Sequence, residues 1–336
     1  MIKRNTTCYK TAGTETFRLA SASLFGEIGS NLQNLEKSSR ALYIPDAGKI
    51  FVQVDQAGAE ALIVAYLCKD GPLRELFKHG IKPHVYVALK LFHPQLRKEK
   101  PELKSVIDAA LECPINKLKT LTDWKKLENL IKDTDNWEYS KRYYYLAKQT
   151  CHSGNYRIGA AMFQMNLLAK SGGKVVISKN DSEYFIGHYT GAIFPQIPAW
   201  WMDTESQVTK NKVLRNLQGF PRIITEPINE KTFKELYAFV PQSTVGTITN
   251  MAVTDLYHYI AGNKLQWDIL ANTHDSYMTQ CPVGEEVECA RVMKLFIERE
   301  LKSPSGELFR MRSEAQAGYN WAPYKKGKNE KGLVEL

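Results

Sequence analysis

Short apolar runs alternate with helical patterns along this chain, and one strand-to-helix junction stands out. Residues 50–54 are apolar and β-branched behind a Pro-Asp-Ala-Gly turn, which predicts a buried strand that delivers Asp55 at its end. Residues 61–67 are helix formers and core residues, which predicts a helix with Glu60 roughly one turn inside it. A carboxylate at such a corner either binds a metal ion or caps the helix, and this stretch alone leaves both possibilities open.

Helical patterns dominate most of the remaining chain. A short strand is predicted at 174–178, and helices are predicted at 83–92, 93–137 (lysine-rich and broken by three prolines), 181–190, 240–262 and 285–301. Two short apolar stretches flank His274 and Asp275 and predict a hairpin with the aspartate at its tip, followed later by a strand at 308–312. The lysine-rich residues 325–331 are predicted to be a mobile tail.

Asp55 and Asp275 are thus predicted at the ends of two separate strands. Two carboxylates that meet at one point repel each other unless cations lie between them. If these strands are neighbours in one sheet, the pair indicates a site for two metal ions.

A second group of polar residues follows a helical spacing. Lys148, His152 and Tyr156 fall at i, i+4 and i+8, which places a cation, an imidazole and a phenol on one face of a continued helix. Such a face suits a nucleoside triphosphate, with the ammonium near the phosphates and the rings near sugar and base. The alternative is a partly buried amphipathic helix with an exposed lysine.

Composition restricts the class of protein. The 336 residues include 45 Lys and Arg against 36 Asp and Glu, and the net charge of +9 favours a polyanionic partner. Six cysteines form no Cys-x-x-Cys pair, so neither a zinc module nor a disulfide framework is indicated. There is no apolar segment of membrane-spanning length and no signal peptide, so we expect a soluble cytoplasmic protein without a membrane partner.

Five motifs in order resemble family A DNA polymerases, the family of bacterial DNA polymerase I and many phage replicative enzymes. Residues 14–21 with 31–34 resemble the family's TxTGRLSS and NLQN segments, and residues 54–60 resemble motif A, usually DYSQIEL. Residues 148–156 resemble motif B, residues 242–244 the start of the QGTAAD helix, and residues 274–276 motif C, usually HDE.

This resemblance implies an α+β right-hand polymerase fold, with an antiparallel palm sheet and helical fingers. The implied division is a first palm part with motif A (1–92), a helical insertion (93–137), fingers with motif B (138–225), a second palm part with motif C (226–324) and a basic tail (325–336). The implied reaction adds dNTPs to the 3′ end of a primer on template DNA. If the chain is phage-encoded, its compartment is the cytoplasm of the bacterial host.

The resemblance also assigns roles to single residues. Asp55 and Asp275 would bind two Mg²⁺ ions. Glu60 would be the steric gate against a ribose 2′-hydroxyl, and Lys148 would neutralise charge on the triphosphate as a third catalytic residue. The other nucleotide-binding residues would be His84, His152 and Tyr156, and the DNA-binding residues on the minor-groove side would be Arg18, Asn34, Gln242 and His274.

Several positions depart from the family pattern. Gln56-Ala57-Gly58 replaces Tyr-Ser-Gln, Arg157 follows Tyr156 where glycine is usual, and Ser276 replaces glutamate. His152 stands where many members have Phe or Tyr, and Tyr144 stands where an arginine is usual. Ten residues precede Thr11, where family members carry a thumb and usually an exonuclease domain, so we expect a separate polypeptide to supply them or the chain to be truncated.

Two other functions fit parts of this pattern. A single-subunit RNA polymerase shares the palm, the two aspartates and the motif B lysine and tyrosine, but it has no use for a side chain such as Glu60 that closes the 2′ pocket. A DNA-binding subunit that kept the fold without catalysis is the alternative from another class.

Overall fold

The computed structural model describes residues 4–11, 13–23, 29–138 and 141–336. Its strands are β1 (Cys8–Lys10), β2 (Ala20–Ala22), β3 (Lys49–Gln56), β4 (Val213–Arg215), β5 (Pro221–Ile223), β6 (Asp268–Asn272), β7 (Ser276–Pro282), β8 (Glu300–Lys302), β9 (Leu308–Arg310), β10 (Ser313–Gly318) and β11 (Val334–Glu335). Its α-helices are α1 (Ala59–Leu67), α2 (Pro72–Lys78), α3 (Pro83–Glu99), α4 (Lys104–Glu112), α5 (Trp124–Asp133), α6 (Tyr143–Gly154), α7 (Ala160–Lys170), α8 (Lys179–His188), α9 (Gln196–Asn211), α10 (Glu230–Asn263) and α11 (Glu286–Ile297).

The chain forms two compact units. The first, here called the sheet unit, comprises Met1–Glu60, Leu214–Arg222 and Phe239–Leu336. The second, here called the helical unit, comprises Ala61–Val213 and Ile223–Ala238. The five segments predicted from the sequence have different boundaries, and their assignment to palm, fingers and insertion remains a prediction.

The sheet unit is built on an antiparallel sheet with the strand order β11-β10-β3-β7-β6. The central strand β3 is the strand predicted from the apolar run, and its Val52 and Val54 are fully buried. Helix α11 packs against β3, β7 and β10. A cluster of buried side chains elsewhere in the unit includes Phe51 from β3, Met278 from β7 and Trp321 from the chain after β10. Because β3 is the central strand, the end of β3 that carries Asp55 is hydrogen-bonded to β10 on one side and to β7 on the other.

The helical unit has α3 and α6 at its centre, where the rings of Phe92 and Tyr143 stack with centroids 4.9 Å apart. Helices α4 and α5 pack against α3 and bury Ile107, Leu127 and Ile131, so the stretch 93–137 is helical as predicted and contributes to the core of this unit. Within the described residues, no helix is both long and apolar enough to cross a membrane.

Two sequence predictions for individual elements are wrong. Residues 174–178 form no strand, because Gln164 Nε2 donates to the Ile177 carbonyl and the Ser171 hydroxyl accepts from the Val175 N–H, so the backbone is bonded without a partner strand. Helix α10 begins at Glu230 rather than at 240, with Pro241 inside it. Tyr237 and Phe239 are fully buried, and this packing extends the helix across a proline that removes one backbone bond.

The predicted mobile tail is also corrected. Strand β11 pairs with β10 at the edge of the sheet. The Tyr319 N–H donates to the Lys331 carbonyl at 2.8 Å, and Leu333 is buried in the core cluster. The lysines of this segment are exposed, but its backbone bonds and the buried Leu333 that follows it hold it on the sheet.

Candidate active site

The two aspartates predicted as metal ligands lie at the ends of neighbouring strands of the sheet unit. Asp55 is the next-to-last residue of β3, and Asp275 lies at the tip of the β6–β7 hairpin, as predicted. Asp55 is opposite Ser276 in the antiparallel ladder, and the N–H of Gln56 donates to the carbonyl of Asp275 at 3.0 Å. The fold therefore brings both carboxylates to the same end of the sheet.

The environment of Asp275 makes its negative charge costly. The residue is exposed at the hairpin tip, but surrounding protein atoms remove enough water to raise the pKa of its carboxyl group, and the nearby Glu60 acts in the same direction. Its own backbone N–H, Arg18 and His274 act in the opposite direction. A bound cation would offset this cost, because it favours the ionised carboxylate.

Arg18 and Glu60 form an ion pair beside Asp275. Arg18 Nη2 donates to Glu60 Oε1 at 2.5 Å, and both side chains are mostly buried. Gly246 on α10 allows Arg18 to lie this close to the helix, since a Cβ at Gly246 would come within 2.9 Å of Arg18 Cγ. The predicted DNA-binding arginine and the predicted steric gate are thus partners in this structure.

The hairpin tip has a constrained backbone. His274 has a φ of 75°, in the left-handed region that non-glycine residues seldom adopt. Its N–H donates to Asn272 Oδ1 at 3.1 Å, and Asn272 Nδ2 donates to Asn250 Oδ1 on α10 at 3.0 Å. Burial, followed by the charge of Arg18, lowers the pKa of the His274 imidazole. This residue is therefore neutral near pH 7 and available as a hydrogen-bonding group.

The other two predicted DNA-binding residues, Asn34 and Gln242, are at least partly exposed. Asn34 is exposed at the end of a 3-10 turn, Leu32–Asn34. Gln242 is half-buried inside α10, one turn before Gly246, and not at the start of a helix as predicted. Their roles on DNA remain predictions.

The helical unit groups three of the predicted nucleotide-binding residues. Burial lowers the pKa of His84 to about 3, with smaller contributions from the charges of Lys148, His152 and Lys82. These interactions place His84 on α3 near Lys148 and His152 on α6, both of which are exposed. The His84 ring also meets the ring of Tyr144 edge-on, with centroids 5.9 Å apart. A neutral imidazole beside an exposed ammonium group can hydrogen-bond to a phosphate whose charge the lysine neutralises.

Tyr156 departs from the predicted arrangement. Helix α6 ends at Gly154, so Tyr156 lies beyond the helix that carries Lys148 and His152. The helix end is packed tightly, because a Cβ at Gly154 would come within 2.4 Å of the Tyr189 ring. Asn155 is buried and accepts a hydrogen bond from the Tyr189 hydroxyl at 2.7 Å. These contacts fix the position at which the chain leaves the helix, but they do not place Tyr156 one turn further along it.

Arg157 anchors the chain directly after Tyr156. Its φ of 55° is left-handed, at a position where glycine is usual in the family it resembles. Its Nη1 donates to Glu205 Oε1 at 2.6 Å and to the Tyr237 hydroxyl at 3.1 Å. Burial and the neighbouring Glu205 raise the pKa of Tyr237 to about 12, so the phenol stays protonated.

We expect Arg157→Gly to be more stable than Arg157→Ala by about 1 kcal/mol, since both lose the ion pair but only glycine removes the cost of a left-handed backbone. Chemical denaturation of both variants measures this difference. Glu205→Gln, which weakens the ion pair and keeps Arg157, isolates the contribution of the side chain. Equal stabilities of the Gly and Ala variants would contradict the role of the backbone.

The donor chemistry of Asp55 and Asp275 fits magnesium, which prefers carboxylate oxygens and keeps coordination positions for substrate phosphates. Among the described residues, no group of three or more His, Cys, Asp and Glu side chains is placed to enclose a metal ion. This arrangement is consistent with a site in which two carboxylates supply some of the metal ligands and substrate oxygens supply the others.

Known proteins resemble the chain in sequence and fold. No family profile matches it. DNA polymerase I of Borreliella burgdorferi is 21% identical over 305 residues, covering 86% of this chain and 28% of that protein. DNA polymerase I of Caldicellulosiruptor bescii is 21% identical over 327 residues, covering 94% of this chain and 32% of that protein. The chain spans about a third of the length of these curated relatives.

A solved structure agrees with these relatives. The POL domain of Pol1 from M. smegmatis, in complex with DNA primer-template and dNTP, has a TM-score of 0.66 and 17% identity, covering 94% of this chain and 47% of that chain. The fold of this chain is similar to that of this polymerase domain. The family A resemblance of the five motifs and the predicted α+β fold with an antiparallel sheet are confirmed.

Proposed function

We propose that this family A-like chain is a template-directed DNA polymerase that adds dNTPs to a primer 3′ end by nucleotidyl transfer with two Mg²⁺ ions. The observation that carries the proposal is the meeting of Asp55 and Asp275 at one end of the sheet, from positions far apart in the sequence. The basic chain, with its net charge of +9, suits primer-template DNA as the partner.

In this proposal the sheet unit supplies the reaction centre. Asp55 and Asp275 would hold the metal ions, which would lower the pKa of the primer hydroxyl and stabilise charge on the triphosphate. Arg18 and His274, which lie close to Asp275, hydrogen-bond to the minor-groove side of the primer end. That side presents similar acceptors for every correct base pair, so it can be contacted without reading the sequence.

The helical unit supplies nucleotide binding. Lys148 forms an ion pair with the triphosphate. The neighbouring His84 imidazole is neutral, and it donates a hydrogen bond to the triphosphate without adding a second positive charge. His152 and Tyr156 contact sugar and base. Lys148 is also the group available to protonate the pyrophosphate as it leaves.

Glu60 is expected to decide between deoxyribonucleotides and ribonucleotides. Extension of a primer-template by the wild-type chain should use dNTPs in strong preference to NTPs, and Glu60→Ala should reduce this preference by about 10²-fold, the discrimination that a closed pocket gives against one added hydroxyl. The ratio of kcat/KM for a dNTP and its matching NTP is the measurement.

Glu60→Gln is the matched control for this test. It weakens the ion pair with Arg18 but keeps the size of the side chain, so the preference for dNTPs should remain. Preferential use of NTPs by the wild-type chain would support the RNA polymerase alternative instead. DNA binding without any extension would support a non-catalytic subunit.

A further inference from the structure

Hydrogen bonds connect Gln56 to both peptide groups that flank Asp275, to one directly and to the other through Thr249. Its backbone N–H donates directly to the carbonyl of Asp275 at 3.0 Å. Its side-chain Nε2 donates to Thr249 Oγ1 on α10 at 2.7 Å, and that hydroxyl donates to the carbonyl of His274 at 3.0 Å. The carbonyls on the two sides of the Asp275 Cα are therefore tied to the residue that directly follows Asp55.

Burying the Gln56 amide costs more free energy than filling the same space with an apolar side chain would. Gln56 is 2% exposed and Thr249 is 0% exposed. Within the described part of the chain, Gln56 Oε1 is buried and has no hydrogen-bond partner. A buried polar group without a partner costs roughly 1–3 kcal/mol, and an apolar side chain of similar size would fill the same space without this cost. The amide is better explained by what its Nε2 holds than by its contribution to the core.

The same bonds restrain a backbone that could otherwise move. His274 is in the left-handed region, and its peptide is held at both ends: its N–H by Asn272 and its carbonyl by Thr249. Thr249 Oγ1 also lies 3.1 Å from the carbonyl of Val245, one turn earlier on α10. Without the contact to Gln56, the hydroxyl can turn to this helical carbonyl alone and release the hairpin tip.

We propose that Gln56 and Thr249 are positioning residues that set the separation of the Asp55 and Asp275 carboxylates and thereby the affinity of the site for divalent cations. The inference rests on the proposed function for the identity of the site. Groups that hold metal ligands in place through hydrogen bonds typically change metal affinity by 10–100-fold when they are removed. Neither residue contacts the metal in this proposal, so its effect should appear mainly as a higher metal requirement.

The test uses substitutions of similar shape in the full chain. Thr249→Val removes the hydroxyl and keeps the volume, Thr249→Ser keeps the hydroxyl, and Gln56→Met removes the amide. Thr254→Val is the matched control, because the Thr254 hydroxyl on the same helix donates to the Asn250 carbonyl one turn earlier and not to the carbonyl of His274. Asp55→Asn is the control for loss of the site itself.

Two measurements separate positioning from folding. Direct binding of Mn²⁺, followed by the loss of its free-ion paramagnetic resonance signal, should weaken by roughly 10–100-fold in Thr249→Val and Gln56→Met, and should be close to wild type in Thr249→Ser and Thr254→Val. In primer extension, the Mg²⁺ concentration for half-maximal rate should rise correspondingly, and saturating Mg²⁺ should restore most of the rate. Unfolded protein would not recover in this way.

The outcomes distinguish the inference from the function on which it rests. If Asp55→Asn abolishes Mn²⁺ binding and extension while Thr249→Val binds Mn²⁺ like wild type, the inference is overturned and the polymerase proposal stands. If Thr249→Ser is as defective as Thr249→Val, the hydroxyl is not the cause and the inference is again overturned. If the wild type neither binds Mn²⁺ nor extends a primer, both fail. Should Gln56→Met not fold, the comparison of Val and Ser at Thr249 decides alone.

Discussion

Asp55→Asn and Asp275→Asn are each expected to slow nucleotide addition by about 10³-fold or more, the scale seen when one member of a cooperating catalytic set is removed. Asparagine keeps the shape of the side chain but lacks the negative charge that a divalent cation needs. Asp55 lies near the end of β3 and Asp275 directly precedes the neighbouring strand β7, where backbone bonds such as that from the Gln56 N–H to the Asp275 carbonyl do not depend on the side chains, so neither substitution should disturb the sheet. The loss should therefore be chemical and not structural.

Single-turnover extension of a labelled primer-template measures this loss, with binding of the same DNA measured separately. The double variant should be about as slow as either single variant, because residues that act as a unit do not contribute additively. Asp268→Asn is the matched control: Asp268 lies on the same hairpin, in strand β6, where it pairs with Lys49 at 2.5 Å. A rate within about tenfold of wild type for both active-site variants would exclude the carboxylate pair as the reaction centre, given the expected loss.

The sequence predicted those parts of the site that depend on local pattern. The apolar run before Asp55 and the helix formers after Glu60 fix a strand and a helix within a few residues of each other, and β3 and α1 follow them closely. The hairpin at Asp275 is also local, since two apolar stretches flank a short polar tip. In such places the signal and the structure lie in the same stretch of chain.

Contacts between distant segments were beyond the reach of these patterns. The bond from Gln56 to Thr249 spans 193 positions, and the ion pair from Arg18 to Glu60 spans 42. The departure at Gln56 is visible in the sequence, but its partner is an ordinary threonine in a helix. Such a pair becomes recognisable only when the fold brings the two side chains together.

The error at Tyr156 has the same cause. Extending the helical spacing from Lys148 assumed that the helix continued to Tyr156, whereas α6 ends at Gly154. The Tyr189 ring pressed against Gly154 belongs to a later helical segment, and Arg157 turns the chain with a left-handed backbone held by Glu205. Tertiary contacts overrode a local periodicity that was otherwise consistent.

Lys148→Ala is expected to lower dNTP incorporation by about 10²–10³-fold, the loss that accompanies removal of one group that stabilises developing charge. Lys148 is exposed on α6, and its charge already acts on the buried His84 imidazole nearby. Lys148→Arg keeps the charge and should retain more of the activity, although a planar guanidinium fits a point-charge site less well. The kinetics of single dNTP addition, resolved into KM and kcat, measure both variants.

Lys170→Ala provides the matched control, since Lys170 is an exposed lysine on α7. Its ammonium group donates to Gln149 Oε1 at 3.3 Å. A second readout does not depend on catalysis: the pKa of His84 should rise in Lys148→Ala, because the lysine charge lowers it, and should stay well below its ordinary value, because burial is the larger cause. NMR titration of the His84 ring gives this value. An unchanged His84 pKa would contradict the proximity of the two residues, whereas a shifted pKa with normal dNTP kinetics would leave the geometry intact and remove Lys148 from the reaction.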